Sequence, residues 1–301
     1  MVQPPLAEHI PDANVIPLMT PEDFAAAVPD IEYLFALTPP RGHWQKAEKL
    51  KLIQIISTGV DSLLPAPDLS EGVKISNSRG IHGTQMAEFA LYFMLEFAKN
   101  GPRIRQQQAD HDFTMFNPVN LSGATCGIIG LGAVGEAIAE RAHALGMRVI
   151  ATQRTPKTNP HVEQIYPSEQ TADVVEQSDY LVLVAPLTDD TRGLFDAAMI
   201  ARMKPDAVMV NLSRGGIVDE DAIADALRRG AIKGAAIDVF ETEPLPADHP
   251  LWDTPNTLIT PHMAAADTDY INRAVAILAE NIKRVDAGQT QVNEVDRYRG
   301  Y

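Results

Sequence analysis

The chain is short of the features that mark secreted, membrane-bound or nucleic-acid-binding proteins. One cysteine, Cys126, stands among 301 residues. No disulfide can close within the chain, and the apolar neighbours of Cys126 predict a packed core thiol in a reducing compartment. No apolar run reaches the roughly 18 residues of a membrane-spanning helix. The opening MVQPPLAEHI has no basic segment followed by an apolar one, so a cytoplasmic location is expected. Positive charge is scarce: 25 Lys and Arg against 40 Asp and Glu leave a formal net charge of -15. With no Lys/Arg-rich block to relieve it, neither nucleic acid nor an anionic membrane is an expected partner. No His, Cys and carboxylate set has metal-binding spacing, no serine sits in a nucleophile elbow, and no repeat or low-complexity segment interrupts the chain.

What is present is ordinary globular composition, 45% apolar and 22% charged, at a length that predicts two domains. Thr20-Pro21-Glu22-Asp23 has the cap and first-turn chemistry of a helix start, and residues 31–37, 50–56 and 72–76 read as strands. Met86, Ala87, Phe89, Ala90, Phe93, Met94 and Phe97 recur at helical spacing over residues 85–99, ending at Asn100-Gly101-Pro102. Short apolar runs then follow at 125–129, 147–152, 180–185, 207–212, 235–239 and 257–260, with helical patterns between them. Continuous apolar strands are buried on both faces, as in a parallel sheet covered by helices. The expected organisation is α/β, with a substrate domain of residues 1–95 and 269–301 and a doubly wound Rossmann cofactor domain of residues 96–268. A helix over about 269–287 returns the chain to the first.

Directly after the strand at 125–129 comes Gly130-Leu131-Gly132-Ala133-Val134-Gly135, opening a helix. A G-x-G-x-x-G between strand and helix is a dinucleotide fingerprint: one glycine for the tight turn, one for approach of the pyrophosphate, one for helix-to-strand packing. The end of the next strand should select the cofactor, because an acidic residue there accepts from a ribose 2'-hydroxyl and repels a 2'-phosphate. Gln153 stands near that place, 153 - 135 = 18 residues after the last glycine. Arg154, with Thr155 or Lys157, can bind a 2'-phosphate by charge-assisted hydrogen bonds. NADP(H) is therefore expected over NAD(H), with NAD(H) use possible, and a solvated basic turn is the other reading of this segment.

Arg214, Glu243 and His262 follow the last three strands at their carboxyl ends, where an open parallel sheet binds its ligands. Their chemistry is complementary. Arg214 can hold a carboxylate and polarise the adjacent carbonyl, His262 can give or take a hydroxyl proton, and Glu243 can orient the imidazole and stabilise its positive charge. Singly, each has an ordinary reading as a surface or loop residue; the shared placement is what argues for catalysis. His43, His82, His111 and His249 lack such a frame and read as solvated or structural, with a place bordering the substrate cleft as the other reading of His82.

These stretches resemble the D-isomer-specific 2-hydroxyacid dehydrogenases over most of the chain. The resemblance is carried by Thr58-Gly59-Val60-Asp61, Ala87-Glu88, Gly130 to Gly135, Ala185-Pro186-Leu187-Thr188, Asn211-Leu212-Ser213-Arg214-Gly215-Gly216, Ile237-Asp238-Val239-Phe240-Glu241-Thr242-Glu243-Pro244 and Thr260-Pro261-His262. The spacings 243 - 214 = 29 and 262 - 243 = 19 agree with that family's Arg, Glu and His. The resemblance implies a flavodoxin-like substrate domain and a Rossmann domain, and a hydride exchanged between NADP(H) and a small 2-keto or D-2-hydroxy acid. It also implies that Asp238 contacts the nicotinamide carboxamide, that backbone at Thr58, Gly59 and Val60 helps bind the substrate carboxylate, and that Ala185, Pro186, Leu187, Thr188, Thr191, Leu212 and Ser213 line the cofactor.

Several positions depart from the family pattern. Gln153 replaces the acidic residue of NAD-dependent members, which brings the resemblance nearer the NADPH-using glyoxylate/hydroxypyruvate reductases. Arg79 replaces a usual proline and Phe89 a common histidine, and His111 to Phe116 lacks the usual Gly-x-Trp where the family's dimer arm lies. A homodimer is implied, with the region from about Arg103 to Asn117 crossing to the partner. The competing function is a dinucleotide-sensing, corepressor-like binding protein of the same fold, against which the intact Arg, Glu and His argue. A formate-type dehydrogenase is disfavoured because Glu243 stands where those relatives carry glutamine.

Overall fold

The computed structural model describes residues 3–40 and 42–298. It divides into two compact units, Met1–Ile81 with Asp267–Tyr301, and His82–Ala266. The first unit begins with helices α1 (Gln3–His9) and α2 (Pro21–Ala27) and strands β1 (Tyr33–Ala36), β2 (Leu52–Ile55) and β3 (Lys74–Asn77). Helix α2 starts where expected because Thr20 Oγ1 accepts from Asp23 N at 3.1 Å while the Asp23 carboxylate accepts from Thr20 N at 3.0 Å. The three strands are parallel in the order β1-β2-β3.

The second unit runs α3 (Gly83–Lys99), α4 (Gly101–Ala109), β4 (Thr125–Ile129), α5 (Ala133–Ala144), β5 (Arg148–Thr152), β6 (Gln164–Tyr166), α6 (Thr171–Gln177), β7 (Tyr180–Leu183), α7 (Ala197–Ile200), β8 (Val208–Asn211), α8 (Glu220–Arg228), β9 (Gly234–Ile237) and β10 (Thr257–Ile259). Helix α9 (Tyr270–Asp286) then belongs to the first unit. The large sheet has seven parallel strands in the order β10-β9-β8-β7-β4-β5-β6. Its continuous apolar runs feed two cores by simple alternation: Ile129, Leu181, Leu183 and Met209 face one, Ile128, Val182, Val208 and Val210 the other. Cys126 is fully buried in the second core, and burial pushes its thiol up to about 12, which keeps it protonated and unreactive.

In the first unit alternation along β2 does similar work. Ile53 and Ile55 join Phe24, Trp44 and Ile75, whereas Leu52 packs with Val275 and Leu278 of α9. Gln54 shares the α9 face with Leu52. Being polar and fully buried, it is met there by Asn281 Nδ2 at 2.9 Å.

The structure moves two expected boundaries and adds a strand. The helix at 83–99 is held to the second unit by packing on α5 and by Phe97, whose ring lies where a Cβ on Gly234 would sit, 2.3 Å away. The units therefore divide at 81/82 and 266/267, not at 95/96 and 268/269. Edge strand β6 was not expected because Gln164-Ile165-Tyr166 is half-exposed and contains no apolar run. Among the described residues, no helix is long and apolar enough to cross a membrane.

Candidate active site

The order of the large sheet reverses at β4, which pairs β5 on one side and β7 on the other, and a crevice opens at the carboxyl ends beside such a reversal. The turn after β4 is drawn tightly into it. Gly130 has φ of 102°, and a Cβ there would meet the Ala185 Cα and N at 2.8 Å, so only glycine permits the segment after β7 to lie against this turn. A Cβ at Gly135 would meet Gly130 O at 2.5 Å. At Gly132 it would meet nothing within 4 Å. Gly132 is the cap residue of α5, where it offers no side chain, and the first-turn amides have no acceptor within the helix. An anionic pyrophosphate fits that place by charge, donors and space.

Beyond β5 the basic turn is held by Gln153 rather than left loose. Gln153 Nε2 donates to Leu131 O at 2.8 Å, and Gln153 Oε1 accepts from Lys157 N at 2.9 Å. Both ends of the amide are thus engaged by backbone. Arg154, Thr155 and Lys157 are exposed around it. After β7, Thr191 Oγ1 donates to Pro186 O at 2.7 Å and accepts from Thr188 N at 2.8 Å, closing the turn that includes Leu187. Ala185, Leu212 and Ser213 are buried, and Val134 is partly buried against the same core as Leu212.

Arg214 leaves the end of β8 with its Nη1 donating to Ser213 O at 2.8 Å, while Ser213 Oγ donates to Asn211 Oδ1 at 2.5 Å. The next residue, Gly215, lies so near the segment after β9 that a Cβ would be 1.9 Å from Phe240 O. Two strand-end loops that carry charged side chains therefore touch through backbone. Glu243 belongs to the second of these: its Oε1 accepts from Phe240 N at 2.9 Å and its Oε2 lies 2.6 Å from His262 Nδ1. Both are partly exposed, 33% for the Glu243 side chain and 44% for His262, as a pair open to a ligand must be.

His262 has φ of 49°, a left-handed conformation uncommon for a residue with a Cβ. Its loop is pinned by Asp238. Asp238 Oδ1 accepts from the Thr260 hydroxyl at 2.5 Å and Met263 N at 2.9 Å, Oδ2 accepts from Ala264 N at 3.0 Å, and Asp238 O accepts from His262 N at 2.9 Å. This buried carboxylate has about four acceptor directions and uses three on the loop, so its position is set by the loop whatever else it contacts.

Thr58, Gly59 and Val60 follow β2 in the first unit. Asn77 Nδ2 donates to Thr58 O at 2.7 Å, Ser57 Oγ donates to Gly59 O at 2.9 Å, and Val60 is buried.

A profile described as "D-isomer specific 2-hydroxyacid dehydrogenase, NAD binding domain" matches residues 91–264. The chain belongs to this family. It is 33% identical over 97% of its length to a D-3-phosphoglycerate dehydrogenase of Methanocaldococcus jannaschii, but spans only 56% of that longer protein. It is 30% identical to glyoxylate/hydroxypyruvate reductase A of Serratia proteamaculans, covering 98% of this chain and 94% of that one. An NADPH-dependent glyoxylate/hydroxypyruvate reductase of Sinorhizobium meliloti, solved with NADP and sulfate, superimposes with a TM-score of 0.91 at 28% identity, covering 100% and 96% of the two chains.

In this member of the family the sequence did not single out Glu220, which meets the loop of Glu243, and His249 is its structural partner. Glu220 Oε1 accepts from Glu241 N at 2.7 Å, and its Oε2 lies 3.1 Å from His249 Nε2. Nothing in their spacing announces that contact, since 20 residues or more separate each partner from Glu220. The glycine geometry generates one prediction. Gly132→Ala, with an extended φ of -101° and open space, leaves thermal stability unchanged but weakens dinucleotide binding. Gly135→Ala costs about 1–3 kcal/mol of stability through overpacking. Thermal melts and cofactor titration of both variants check it, and equal melting points would overturn the contrast.

Proposed function

We propose that the protein is a reductase that uses NADPH in preference to NADH to convert a small 2-keto acid, of the glyoxylate/hydroxypyruvate type, to a 2-hydroxy acid, and that runs the reverse oxidation with NADP. The observation that carries this reading is the 2.6 Å contact of His262 Nδ1 with Glu243. When bound, a nicotinamide dinucleotide would supply the hydride, and the turn of Gly130, Gly132, Ala133, Val134 and Gly135 would hold its pyrophosphate. With Nδ1 engaged, His262 Nε2 is the ring atom left to place a proton on the substrate oxygen as negative charge develops there. Glu243 keeps the ring oriented and balances its positive charge. Arg214 binds the substrate carboxylate and polarises the keto group. Reduction thus consumes one hydride and one proton per keto acid, and the local arginine supplies what a chain of net charge -15 otherwise denies an anion.

His262→Ala should lower kcat by about 100-fold to 10,000-fold with NADPH affinity nearly intact, whereas Arg214→Lys should raise KM and lower kcat together. Steady-state kinetics with glyoxylate and hydroxypyruvate, alongside fluorescence titration of NADPH, measure both. Near-normal turnover in His262→Ala would overturn the assignment. Failure of the unaltered protein to turn over any 2-keto acid would favour the dinucleotide-sensing alternative.

NADPH preference is assigned to the Arg154 guanidinium, with Thr155 and Lys157, on the 2'-phosphate, and Gln153 holds their turn in place. The NADP-bound and NADPH-dependent relative supports it. In Arg154→Ala the ratio of kcat/KM for NADPH to that for NADH should fall about 10-fold to 100-fold, the loss of a charged hydrogen bond. An unchanged ratio would reject the role.

The partner is a second copy of the chain. Phe113 and Met115 are almost wholly exposed, at 105% and 88%, and the Arg103 guanidinium stacks over the Phe116 ring at 4.3 Å. Large apolar side chains so presented in an otherwise polar segment are expected to be covered. Light scattering should give twice the chain mass at micromolar concentration, and a monomer there would refute the dimer.

A further inference from the structure

The loop that carries Glu243 has no regular secondary structure to hold it: residues 238–246 form bends and irregular turns. Val239 and Phe240 are buried and Asp238 is bonded to the His262 loop, and from there to Glu243 two adjacent amides tie the chain down. Phe240 N donates to Glu243 itself at 2.9 Å, and Glu241 N donates to Glu220 Oε1 at 2.7 Å. Glu220 is rooted in the fold, since it opens α8, which buries Ile223, Ala224 and Leu227 and is capped by Asp219 Oδ1 accepting from Ala222 N at 2.9 Å. Its other carboxylate oxygen is 3.1 Å from His249 Nε2. That ring is oriented in turn, because His249 Nδ1 accepts from Leu251 N at 3.3 Å. An Nδ1 that accepts carries no hydrogen, so Nε2 carries it and points it at Glu220. The Glu220 and His249 side chains are 18% and 21% exposed, more sheltered than Glu243 and His262.

We propose that Glu220 is a positioning residue for proton transfer, holding the Glu243 loop through the Glu241 amide, and that His249 orients Glu220. The inference rests on the reading of Glu243 and His262 given above. Glu243 lies two residues beyond the gripped amide, and its 2.6 Å contact with His262 tolerates little displacement. A purely stabilising ion pair would be indifferent to which atom of Glu220 meets the loop. Here the anchoring bond needs only a carbonyl-type acceptor at Oε1, which glutamine also supplies once no His249 Nε2–H opposes its amide hydrogens.

Glu220→Ala and His249→Ala, with Glu220→Gln and Glu220→Ala also made in the His249→Ala background, test this in the 301-residue chain. Three quantities are read: kcat and KM for the 2-keto acid, the Kd of NADPH, and the far-downfield proton resonance of a His262 Nδ1–H bonded to Glu243. Glu220→Ala should lower kcat about 10-fold to 100-fold, with KM and the NADPH Kd little changed, and should broaden or abolish the resonance. His249→Ala, which leaves Glu220 without its orienting contact, should lower kcat about threefold to tenfold and broaden the resonance; in that background Glu220→Gln, whose carbonyl can turn to Glu241 N with no N–H opposing its amide hydrogens, should cost no more than His249→Ala alone, whereas Glu220→Ala should cost the full amount. Wild-type kcat and resonance in Glu220→Ala would overturn the proposal. So would equal losses in Glu220→Ala and Glu220→Gln when both are made in the His249→Ala background, or NADPH binding lost in step with turnover, which would make Glu220 a residue of the fold alone; unchanged kcat and resonance in His249→Ala would remove the orienting role of His249. Lack of turnover in the unaltered protein would sink the reductase reading instead, and the resonance would still decide whether Glu220 holds the pair.

Discussion

Everything at the candidate site depends on one constraint: seven strands run parallel and are buried on both faces. Parallel strands all end at the same edge, so each connection back across the helices leaves one loop there. The dinucleotide turn after β4, the Arg214 segment after β8, the Glu243 loop after β9 and the His262 loop after β10 gather for that reason. Chemistry far apart in the chain is brought together by topology before any specific contact is made.

Specific contacts then bring the loops to working distance, by two means. Where backbones must touch, a side chain is omitted: Gly130 lies against Ala185, and Gly215 against Phe240. Where loops need holding, carboxylates accept backbone amides: Asp238 takes Met263 and Ala264, Glu243 takes Phe240, and Glu220 takes Glu241. A hydrogen bond to a charged group is worth about 1.5–3 kcal/mol, several times the gain from an exposed ion pair. These acids therefore do more for the site than the surface pairs such as Lys49–Asp30 do for the fold. They also help explain how a strongly acidic chain can hold an anion-binding edge, because several carboxylates next to it are already occupied by amide donors.

Much of this was legible in the chain. The α2 capping box, the strand–glycine–helix order at 125–146 and the apolar runs of the large sheet followed from local chemistry, because caps, turns and two-sided burial leave marks in the residues themselves. The edge strand β6 left no such mark, since a short half-exposed strand needs no apolar run. The unit boundary was displaced because helical periodicity in α3 shows that one face is buried and not against what; the answer, α5 and Gly234, lies far along the chain.

The same division holds for the site. By itself the sequence determined which side chains sit at strand ends, that the dinucleotide turn carries no acidic partner at Gln153, and that Arg214, Glu243 and His262 keep their family's spacing. Only the tertiary structure decided what each side chain is occupied with: Gln153 turned to the backbone of Leu131 and Lys157, Asp238 spent largely on the loop of His262, and His249 joined to Glu220. Residue type and spacing fix which strand end a group occupies, because that is a matter of chain order. Hydrogen-bond partners are a matter of loop geometry, which depends on where several distant segments come to rest together.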